Sequence, residues 1–394
     1  MLLRLPLILA RFLHNGRLRL LFLGLILLLV ISLLLTYRWR TDAELCFIET
    51  SPSQLEEQQQ PVNMPKILDD VLVTEPKPVP GRSIFFHETS CHRPKRKRSR
   101  PGQKSAEMQY NMLQLTARQA CAIESAALHN PNFQVFVLFA GPTYYHSGNS
   151  SSGGSSQRYQ RLIDAILSYK NVQLRQLNLW RYASGTPVED WLNDGALFRS
   201  SFLFSHISDF LRYLTLYRYG GLYLDMDVVM LRSIEDVPPN YTGAESNTHL
   251  AAGVMSLAPT GFGHEIAQSC LHDFMHNFDG SDWGNNGPGV ITRVVQKLCG
   301  TKDIAVMLED RKRCLGFKIF DRNAFYAVPW KHWRHFFEPQ LLEQTLAHTK
   351  DSIVVHVWNK HSKQQAIKVG SSTAYGKYAE QHCPRSYAAA GEYF

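Results

Sequence analysis

Apolar and polar positions along the chain follow a pattern that predicts an α/β fold. Short apolar runs at 84–86, 133–139 and 172–177 are typical of buried strands. Helical periodicity is found at 106–129, 156–168, 206–219 and 290–298. Because strands and helices alternate at this spacing, we expect a mixed, mostly parallel sheet with helices on both faces.

The segment 206–227 joins the most regular of these helices to a pair of acids. Gly220 follows the helix 206–219 and is suited to end it, since glycine adopts a left-handed conformation without penalty. Beyond it apolar and polar residues alternate. This alternation predicts a strand with Tyr223, Asp225 and Asp227 on one face.

Asp225 and Asp227 have the spacing of a divalent-metal site. Carboxylates two residues apart on a strand lie about 6–7 Å apart on one face and can close around one ion. Spacing alone is weak evidence, because such pairs also occur in solvated turns. Here the acids alternate with Leu224, Met226 and Val228, where an unpaired charge would cost several kcal/mol. A bound Mn²⁺ or Mg²⁺, which prefer oxygen ligands, would supply the missing partner.

These residues belong to a longer set of ordered motifs. The central ones are Ser208-Asp209-x-x-Arg212 and Gly220-Gly221-x-Tyr223-x-Asp225-x-Asp227. The others are IFFHETS (84–90), CAIESAA (121–127) and VHVWNK (355–360). Together, from about residue 84 to 384, the chain resembles the α-1,4-glycosyltransferases with an Asp-x-Asp sugar-binding region. That family includes lactosylceramide 4-α-galactosyltransferase (globotriaosylceramide synthase) and its invertebrate relatives.

The resemblance implies a GT-A-like nucleotide-sugar-binding fold and a transferase. It implies transfer of galactose or N-acetylgalactosamine from a UDP-sugar, in α-1,4 linkage with retention, to a terminal sugar of a glycosphingolipid. Mn²⁺ or Mg²⁺ would be the cofactor. Transfer of N-acetylglucosamine to mucin-type O-glycans is the alternative within enzymes. A non-catalytic sugar-binding partner of another transferase and a glycoside hydrolase are the alternatives from other classes.

The resemblance also assigns roles around the acids. Asp209 and Arg212 would hydrogen-bond the donor sugar, whereas the spacing alone fits an ordinary surface ion pair. Tyr223 would support the sugar or the nucleotide, although an aromatic residue in a strand is equally often packing.

A second group of candidates follows a late strand predicted at 353–358. His356 would be the third metal ligand, as a late histidine or amide is in related transferases. Trp358, on the same strand face, and Asn359 would contact the donor. Lys360 would neutralise the diphosphate.

The turn at 285–289 supplies two further candidates. An amide of Asn285 or Asn286 would lie under the anomeric carbon. Because nucleotide sugars are α-linked, an α-linked product requires retention, and retaining glycosidases use two carboxylates about 5 Å apart. The sequence identifies no such nucleophile, so we expect a same-face displacement assisted by the leaving diphosphate.

The N-terminal part of the chain predicts a membrane anchor. Residues 20–37 carry no charge, and as a helix they would reach about 27 Å, enough for a thin bilayer. No small-residue cleavage site follows, which favours a signal anchor over a cleaved peptide. Arginines before the span favour a cytoplasmic tail at 1–19, a luminal stem at 38–82 and a catalytic domain at 83–394. We expect a single-pass type II protein of the Golgi membrane.

Composition adds little to this interpretation. The chain has 394 residues, 44% of them hydrophobic, and a net charge of +8. Much of that charge lies in the basic run 93–104, which a luminal position separates from nucleic acid. We expect a solvated loop there, with protease processing as the sharper alternative. The serine- and glycine-rich segment 147–156 also predicts a flexible loop.

Seven cysteines and two sequons agree with a luminal domain. In an oxidising compartment we expect the pairs Cys91–Cys121 and Cys299–Cys314, while Cys46 could bridge two chains in a homodimer. A complex with other Golgi transferases is the alternative to a homodimer. The N-glycosylation candidates are Asn149 and Asn240.

Overall fold

The computed structural model describes residues 20–33, 46–47, 65–91, 111–145 and 155–394. The chain divides into two units, Met1–Ile48 and Glu49–Phe394. In the first unit residues 20–33 form a helix whose apolar side chains are largely exposed. Among the residues described, no helix combines the length and the apolar character needed to span a bilayer. The anchor expected at 20–37 extends past residue 33, outside the described helix, and stays a prediction.

The second unit holds strands and helices in alternation. Its strands are β1 Lys66–Ile67, β2 Ser83–Glu88, β3 Gln134–Phe139, β4 Tyr144–Tyr145, β5 Val172–Gln176, β6 Gly221–Leu224, β7 Val228–Met230, β8 Tyr241–Ala244, β9 Leu250–Leu257, β10 Lys318–Phe320 and β11 Val354–His356. Its helices are α1 Ala117–His129, α2 Ser155–Leu167, α3 Leu179–Ala183, α4 Glu189–Asn193, α5 Leu203–Tyr219, α6 Phe262–His276, α7 Pro288–Cys299, α8 Ile304–Glu309, α9 Arg322–Phe325, α10 Leu342–His348, α11 Asn359–Ser362, α12 Ala374–His382 and α13 Pro384–Ala389.

The main sheet of the described unit has seven strands in the order β10-β8-β9-β6-β2-β3-β5. Every strand except β9 runs in the same direction, and β9 pairs antiparallel with both β6 and β8. This is the mixed, mostly parallel sheet that the pattern predicted and that the resemblance to GT-A-like transferases implied.

Helices cover both faces of this sheet. Ile84 and Phe86 of β2 belong to the same buried cluster as Ala120 of α1. The residues between them face the other way, where Phe85 stacks on Tyr219 and His87 bonds to Thr215, both on α5. Alternate residues of one strand therefore pack against different helices, as the period of two requires.

A short sheet of β7 and β11 brings a distant segment to the acids. The two strands are antiparallel, with His356 opposite Val228. Because Val228 directly follows Asp227 in the chain, this register sets His356 beside the Asp-x-Asp turn.

Two glycines connect α5 to β6. Gly220 ends the helix with φ +59°, and a Cβ there would lie 2.5 Å from the backbone nitrogen of Pro259. Gly221 has φ +87°, and its Cβ would lie 2.4 Å from the carbonyl oxygen of Ser83. The helix end predicted at Gly220 is confirmed, and both positions exclude a side chain.

The strand predicted through Asp227 is wrong in its length. β6 ends at Leu224, and Asp225 to Asp227 form a turn before β7. The reason is that β7 leaves the main sheet to pair with β11, so the chain must change direction between them. The acids still lie at the carboxyl end of a sheet strand, where ligands bind in such sheets.

The first predicted helix is also too long. Within the described residues α1 begins at Ala117, because Thr116 and Gln119 form a capping box at its N-terminus. The helices predicted at 156–168, 206–219 and 290–298 are confirmed as α2, α5 and α7.

The end of the predicted stem is part of the second unit and is folded into it. Leu68 and Val71 are buried, and their amides donate to the carbonyls of Thr143 and Gln176 at 2.8 and 3.0 Å. Asp70 pairs with Arg181 at 2.7 Å. Residues 65–82 therefore supply buried side chains to the fold, and the domain boundary expected at residue 82 stays a prediction.

The disulfides confirm one predicted pair and correct the other. Cys299 and Cys314 are bonded, but Cys121 pairs with Cys383 rather than with Cys91. The reason is that Glu124, one turn along α1 from Cys121, accepts the amides of Arg385 and Ser386 at the start of α13 and holds Cys383 beside Cys121.

Of the other three cysteines, two are bonded and one is free. Cys46 and Cys91 are each disulfide-bonded, and Cys270 is a buried free thiol. Asn240 is half buried, and its side-chain oxygen accepts the amide of Ala258 at 2.8 Å. The basic run 93–104, most of the loop 147–156 and Asn149 lie outside the described residues, so those predictions stay open.

Candidate active site

The backbone fixes both acids at the carboxyl end of β6. The amide of Asp225 donates to the carbonyl of Gly253 on β9 at 2.9 Å. The carbonyl of Asp227 accepts the amide of Val357, just after β11, at 2.9 Å. One acid is therefore tied to the main sheet and the other to the short sheet.

Asp225, Asp227 and His356 form one cluster. Nε2 of His356 lies 3.5 Å from Oδ2 of Asp225 and 3.1 Å from Oδ1 of Asp227. One ligand atom from each residue falls within 4.8 Å of the others. Two carboxylates and an imidazole suit a small divalent ion such as Mn²⁺, so the donor set fits the metal that the resemblance implied.

The charges in this cluster stabilise one another. Burial alone would lower the pKa of His356, but in the ion-free site Asp227 and Asp225 outweigh it and raise that pKa to about 10. A metal ion bound between the two acids takes the place of this proton, because a histidine ligand must be neutral. Burial opposes ionisation of Asp225, yet Arg212 and His356 hold the pKa of its carboxyl below the usual range. Asp225 therefore stays ionised and ready to bind a cation.

Arg212 links Asp209 to the acids. Its guanidinium lies 2.9 Å from Oδ1 of Asp209 and 3.3 Å from Oδ1 of Asp225, and it donates to the carbonyl of Ala252 at 2.8 Å. Arg212 is 7% exposed and Asp209 5%. The alternative of an ordinary surface ion pair is therefore excluded, and the pair is part of the buried site.

Asp209 is enclosed on its other side by the turn 285–289. A Cβ on Gly287 would lie 2.3 Å from Oδ1 of Asp209, and the carbonyl of Gly287 accepts the hydroxyl of Tyr213 at 2.6 Å. Burial raises the pKa of Asp209 to about 7, against the effect of Arg212. Only a glycine leaves room for this carboxylate.

Tyr223 holds a carboxylate. Its hydroxyl donates to Oδ1 of Asp225 at 2.7 Å, and Ser208 lies 3.3 Å away. The guanidinium of Arg212 lies over its ring at 4.7 Å. The Tyr223 ring is buried. Its hydroxyl contacts Asp225, which would bind the ion.

The structure gives the two predicted amides other partners. The side chain of Asn285 donates to the carbonyl of Asn277 and accepts from Arg293. Asn286 is fully buried, and its amide accepts from the backbone of Asp279 and donates back to it. Both therefore hold their own loop together in this structure, and a position under an anomeric carbon stays a prediction.

The segment after His356 is only partly at the site. The backbone amide of Asn359 donates to Oδ2 of Asp227 at 2.7 Å, while its side chain accepts from Arg118. Trp358 adopts φ +56° and lies 4.3 Å from the His356 ring. Lys360 lies 3.2 Å over the ring of Trp283, and burial lowers the pKa of its ammonium.

Sequence reasoning missed Tyr326 and Gly253. The Tyr326 ring lies 5.7 Å from the His356 ring, and its hydroxyl is buried without a hydrogen-bond partner among the described residues. Burial raises the pKa of Tyr326 well above its usual value, so it remains a hydroxyl. The local sequence around Tyr326 is typical of a buried core segment. The tertiary structure is what brings Tyr326 close to the acids.

A cleft of about 240 Å³ opens beside the cluster. Its walls are His87, Glu88, Thr89, Gln119, Ser208, Tyr223, Asp225, Met226, Asp227 and Asn359. Another cavity of similar volume, near Arg82 and Pro239, lies at the opposite end of the sheet strands and away from the acids. The cleft at the acids is the one that combines space with candidate chemistry.

Comparison with known proteins identifies the family. A family model described as a glycosyltransferase sugar-binding region containing a DXD motif matches residues 116–244. A second, described as an α-1,4-glycosyltransferase conserved region, matches residues 259–390. Lactosylceramide 4-α-galactosyltransferase of Mus musculus is 30% identical, over 68% of this chain and 70% of the relative. The chain belongs to the α-1,4-glycosyltransferase family. It is therefore a transferase.

Other relatives within this family are similar at nearly the same level. The Homo sapiens lactosylceramide 4-α-galactosyltransferase is 29% identical over 84% of this chain and 85% of its own. The Homo sapiens α-1,4-N-acetylglucosaminyltransferase is 28% identical over 68% of this chain and 74% of its own. Among solved structures, PaToxG glycosyltransferase covers 81% of this chain and 98% of its own, at 13% identity and a TM-score of 0.37. That score is too low to support an argument.

Proposed function

We propose that this transferase moves galactose or N-acetylgalactosamine from a UDP-sugar, in α-1,4 linkage, to a terminal sugar of a glycosphingolipid. The observation that carries the proposal is the cluster of Asp225, Asp227 and His356 beside a cleft, in a chain of this family. The names of the mouse and human lactosylceramide 4-α-galactosyltransferases support a lactosylceramide-like acceptor.

The residues around the cluster have separate tasks. A divalent ion, Mn²⁺ or Mg²⁺, held by Asp225, Asp227 and His356 would bind the UDP diphosphate and offset the charge of the leaving group. Arg212 and Tyr223 keep Asp225 ionised and oriented. The amide of Asn359 orients Asp227 through a hydrogen bond to its Oδ2.

Retention of the α configuration at C1 determines which face of the donor sugar is attacked. The acceptor oxygen attacks C1 of the donor sugar on the face from which the phosphate leaves, and the C1–phosphate oxygen bond breaks. The proton of the attacking hydroxyl passes to an oxygen of the leaving diphosphate. This course needs no protein nucleophile, which agrees with the structural tasks of Asn285 and Asn286.

The alternative donor is UDP-N-acetylglucosamine, with O-glycans as acceptors. Its support is the human α-1,4-N-acetylglucosaminyltransferase, whose identity to this chain is close to that of the galactosyltransferases. Sequence identity alone does not decide between the two donors, since discrimination depends on contacts to the C2 substituent.

We place the enzyme in the Golgi as a single-pass type II membrane protein. The apolar segment 20–37 with its flanking arginines supports this location, and so do the disulfides, which form in oxidising compartments.

The test is a transfer assay on the full chain in detergent, with Mn²⁺ and a panel of labelled UDP-sugars. The acceptors would be glycolipids that end in a lactosyl or an N-acetylgalactosaminyl group, together with O-glycans. We expect transfer from one galactose-type donor to a glycolipid, lost in Asp225→Asn and Asp227→Asn. Transfer of N-acetylglucosamine to O-glycans would select the alternative. Donor binding without transfer to any acceptor would favour a non-catalytic partner.

A further inference from the structure

The hydroxyl of Tyr326 is an exception among the buried tyrosines that the structure describes. Tyr182, Tyr213 and Tyr223 are also fully buried, and each hydroxyl has a partner. The Tyr326 hydroxyl has none among the described residues. A buried polar group without a partner costs free energy, and native structures rarely retain one without a reason.

Two glycines create the space for this side chain. A Cβ at Gly243 on β8 would lie 2.9 Å from Cε2 of Tyr326. A Cβ at Gly253 on β9 would lie 3.3 Å from the Tyr326 hydroxyl and 2.7 Å from Oδ2 of Asp225. The hydroxyl and this carboxylate oxygen therefore lie beside the same Cα atom.

The ring is held in this position by the residues that flank the cluster. Its centroid lies 5.7 Å from that of His356 and 5.8 Å from that of Trp358. The indole of Trp358 is fixed in turn by a hydrogen bond to the carbonyl of Val328 at 2.8 Å. Since these neighbours limit movement of the ring, the hydroxyl stays beside the Gly253 position that Oδ2 of Asp225 also approaches.

We propose that Tyr326 is a further residue of the metal site, and that its hydroxyl donates a hydrogen bond to an oxygen that enters with the divalent ion. That oxygen belongs to an ion-bound water in the donor-free enzyme, or to the diphosphate when donor is bound. Tyr326 is a positioning residue, because it orients a group bound to the ion. The inference rests on the metal site of the proposed function.

The test compares the wild type with Tyr326→Phe, using the full chain and Mn²⁺ alone. Free Mn²⁺ is measured by electron paramagnetic resonance during a titration, and thermal unfolding is followed with and without the ion. We expect the variant to bind Mn²⁺ about tenfold more weakly, a typical loss for an outer partner of a metal site. Its ion-free Tm should equal or exceed that of the wild type, because only an unpaired hydroxyl is removed.

Tyr378→Phe is the matched control. The Tyr378 hydroxyl is also buried, but it is hydrogen-bonded to Thr349 at 2.5 Å. Its removal should lower the ion-free Tm and leave Mn²⁺ affinity unchanged.

Two outcomes would overturn the proposal, and they differ in meaning. If Tyr326→Phe binds Mn²⁺ as tightly as the wild type, Tyr326 is only a packing residue and the metal site remains. If the wild type binds no Mn²⁺, or if the Asp225→Asn variant binds it as tightly as the wild type, the metal site itself is wrong. The metal-dependent part of the proposed function is then wrong as well.

Discussion

At the residue scale, Asp225 and Asp227 are each flanked by two cationic or hydrogen-bond-donating groups. Asp225 lies between Arg212 and His356, and Asp227 between His356 and the amide of Asn359. Buried carboxylates are stable only when they are paired in this way. Arg212 forms ion pairs with two carboxylates, since it also contacts Asp209.

Arg212→Lys should therefore impair both folding and transfer. A lysine is a point donor that cannot reproduce the planar contacts to Asp209, Asp225 and Ala252 together. We expect a loss of about 2–4 kcal/mol in the free energy of unfolding, comparable to breaking a buried ion pair. Transfer per folded molecule should fall at least tenfold. Arg218→Lys is the control, since Arg218 on the same helix bonds only to the carbonyls of Tyr182 and Ser184 among the described residues. Equal transfer by both variants would contradict this role.

We expect stability to depend on pH through His87, which lines the cleft. Burial, together with Arg212, lowers the pKa of His87 from its usual 6.5 to about 3. Below pH 6.5 the unfolded chain binds more protons at this position, so stability falls as the pH falls from 6.5 towards 3. The slope approaches about 1.4 kcal/mol per pH unit. Denaturant unfolding of the wild type and His87→Gln between pH 7.5 and 4.5 should show a shallower decline for the variant. Parallel curves would exclude the effect.

At the scale of elements, the site forms where β6, β7, β9 and β11 meet. The sequence located the acids at the end of a strand and placed His356 near them on the family pattern. It did not predict that β7 pairs with β11, because a register between residues 228 and 356 depends on tertiary packing. For the same reason Tyr326 and Gly253 carried no local signal.

Gly253→Ala tests the close approach of β9 to the acids. The new methyl group would lie 2.7 Å from Oδ2 of Asp225, so the carboxylate must move away from residue 253 and out of its present position in the cluster. We expect a loss of Mn²⁺ affinity of at least tenfold, a typical cost for disturbing a ligand. Gly284→Ala is the control, because its Cβ would meet only Asp282 at an ordinary 3.7 Å. Wild-type Mn²⁺ affinity in Gly253→Ala would show that the carboxylate adapts without cost.

At the scale of the whole molecule, the C-terminal helices are attached to α1. The disulfide Cys121–Cys383 spans 262 residues, and Glu124 accepts the first amides of α13 beside it. The sequence predicted Cys91 as the partner of Cys121 because those residues are near in the chain. Nothing local indicates a contact at such separation, whereas the close pair Cys299–Cys314 was predicted correctly.

Removing the two disulfides should therefore have unequal effects. In the chain-entropy account a loop of 15 residues is worth about 3 kcal/mol, and one of several hundred about 5 kcal/mol. We expect Cys121→Ala/Cys383→Ala to lose more stability than Cys299→Ala/Cys314→Ala. Denaturant unfolding under non-reducing conditions measures the difference. A larger loss in the second double variant would contradict the tethering role of Cys121.

The most direct test of the whole account is the anomeric configuration of the product and its dependence on the ion. Transfer from a UDP-sugar to a lactosyl acceptor would be followed by proton NMR with Mn²⁺, with EDTA, and with Mn²⁺ restored. The account predicts an α-1,4-linked product that forms with Mn²⁺, stops in EDTA and resumes when the ion returns. A β-linked product, or an unchanged rate in EDTA, would contradict metal-dependent retaining transfer at Asp225 and Asp227.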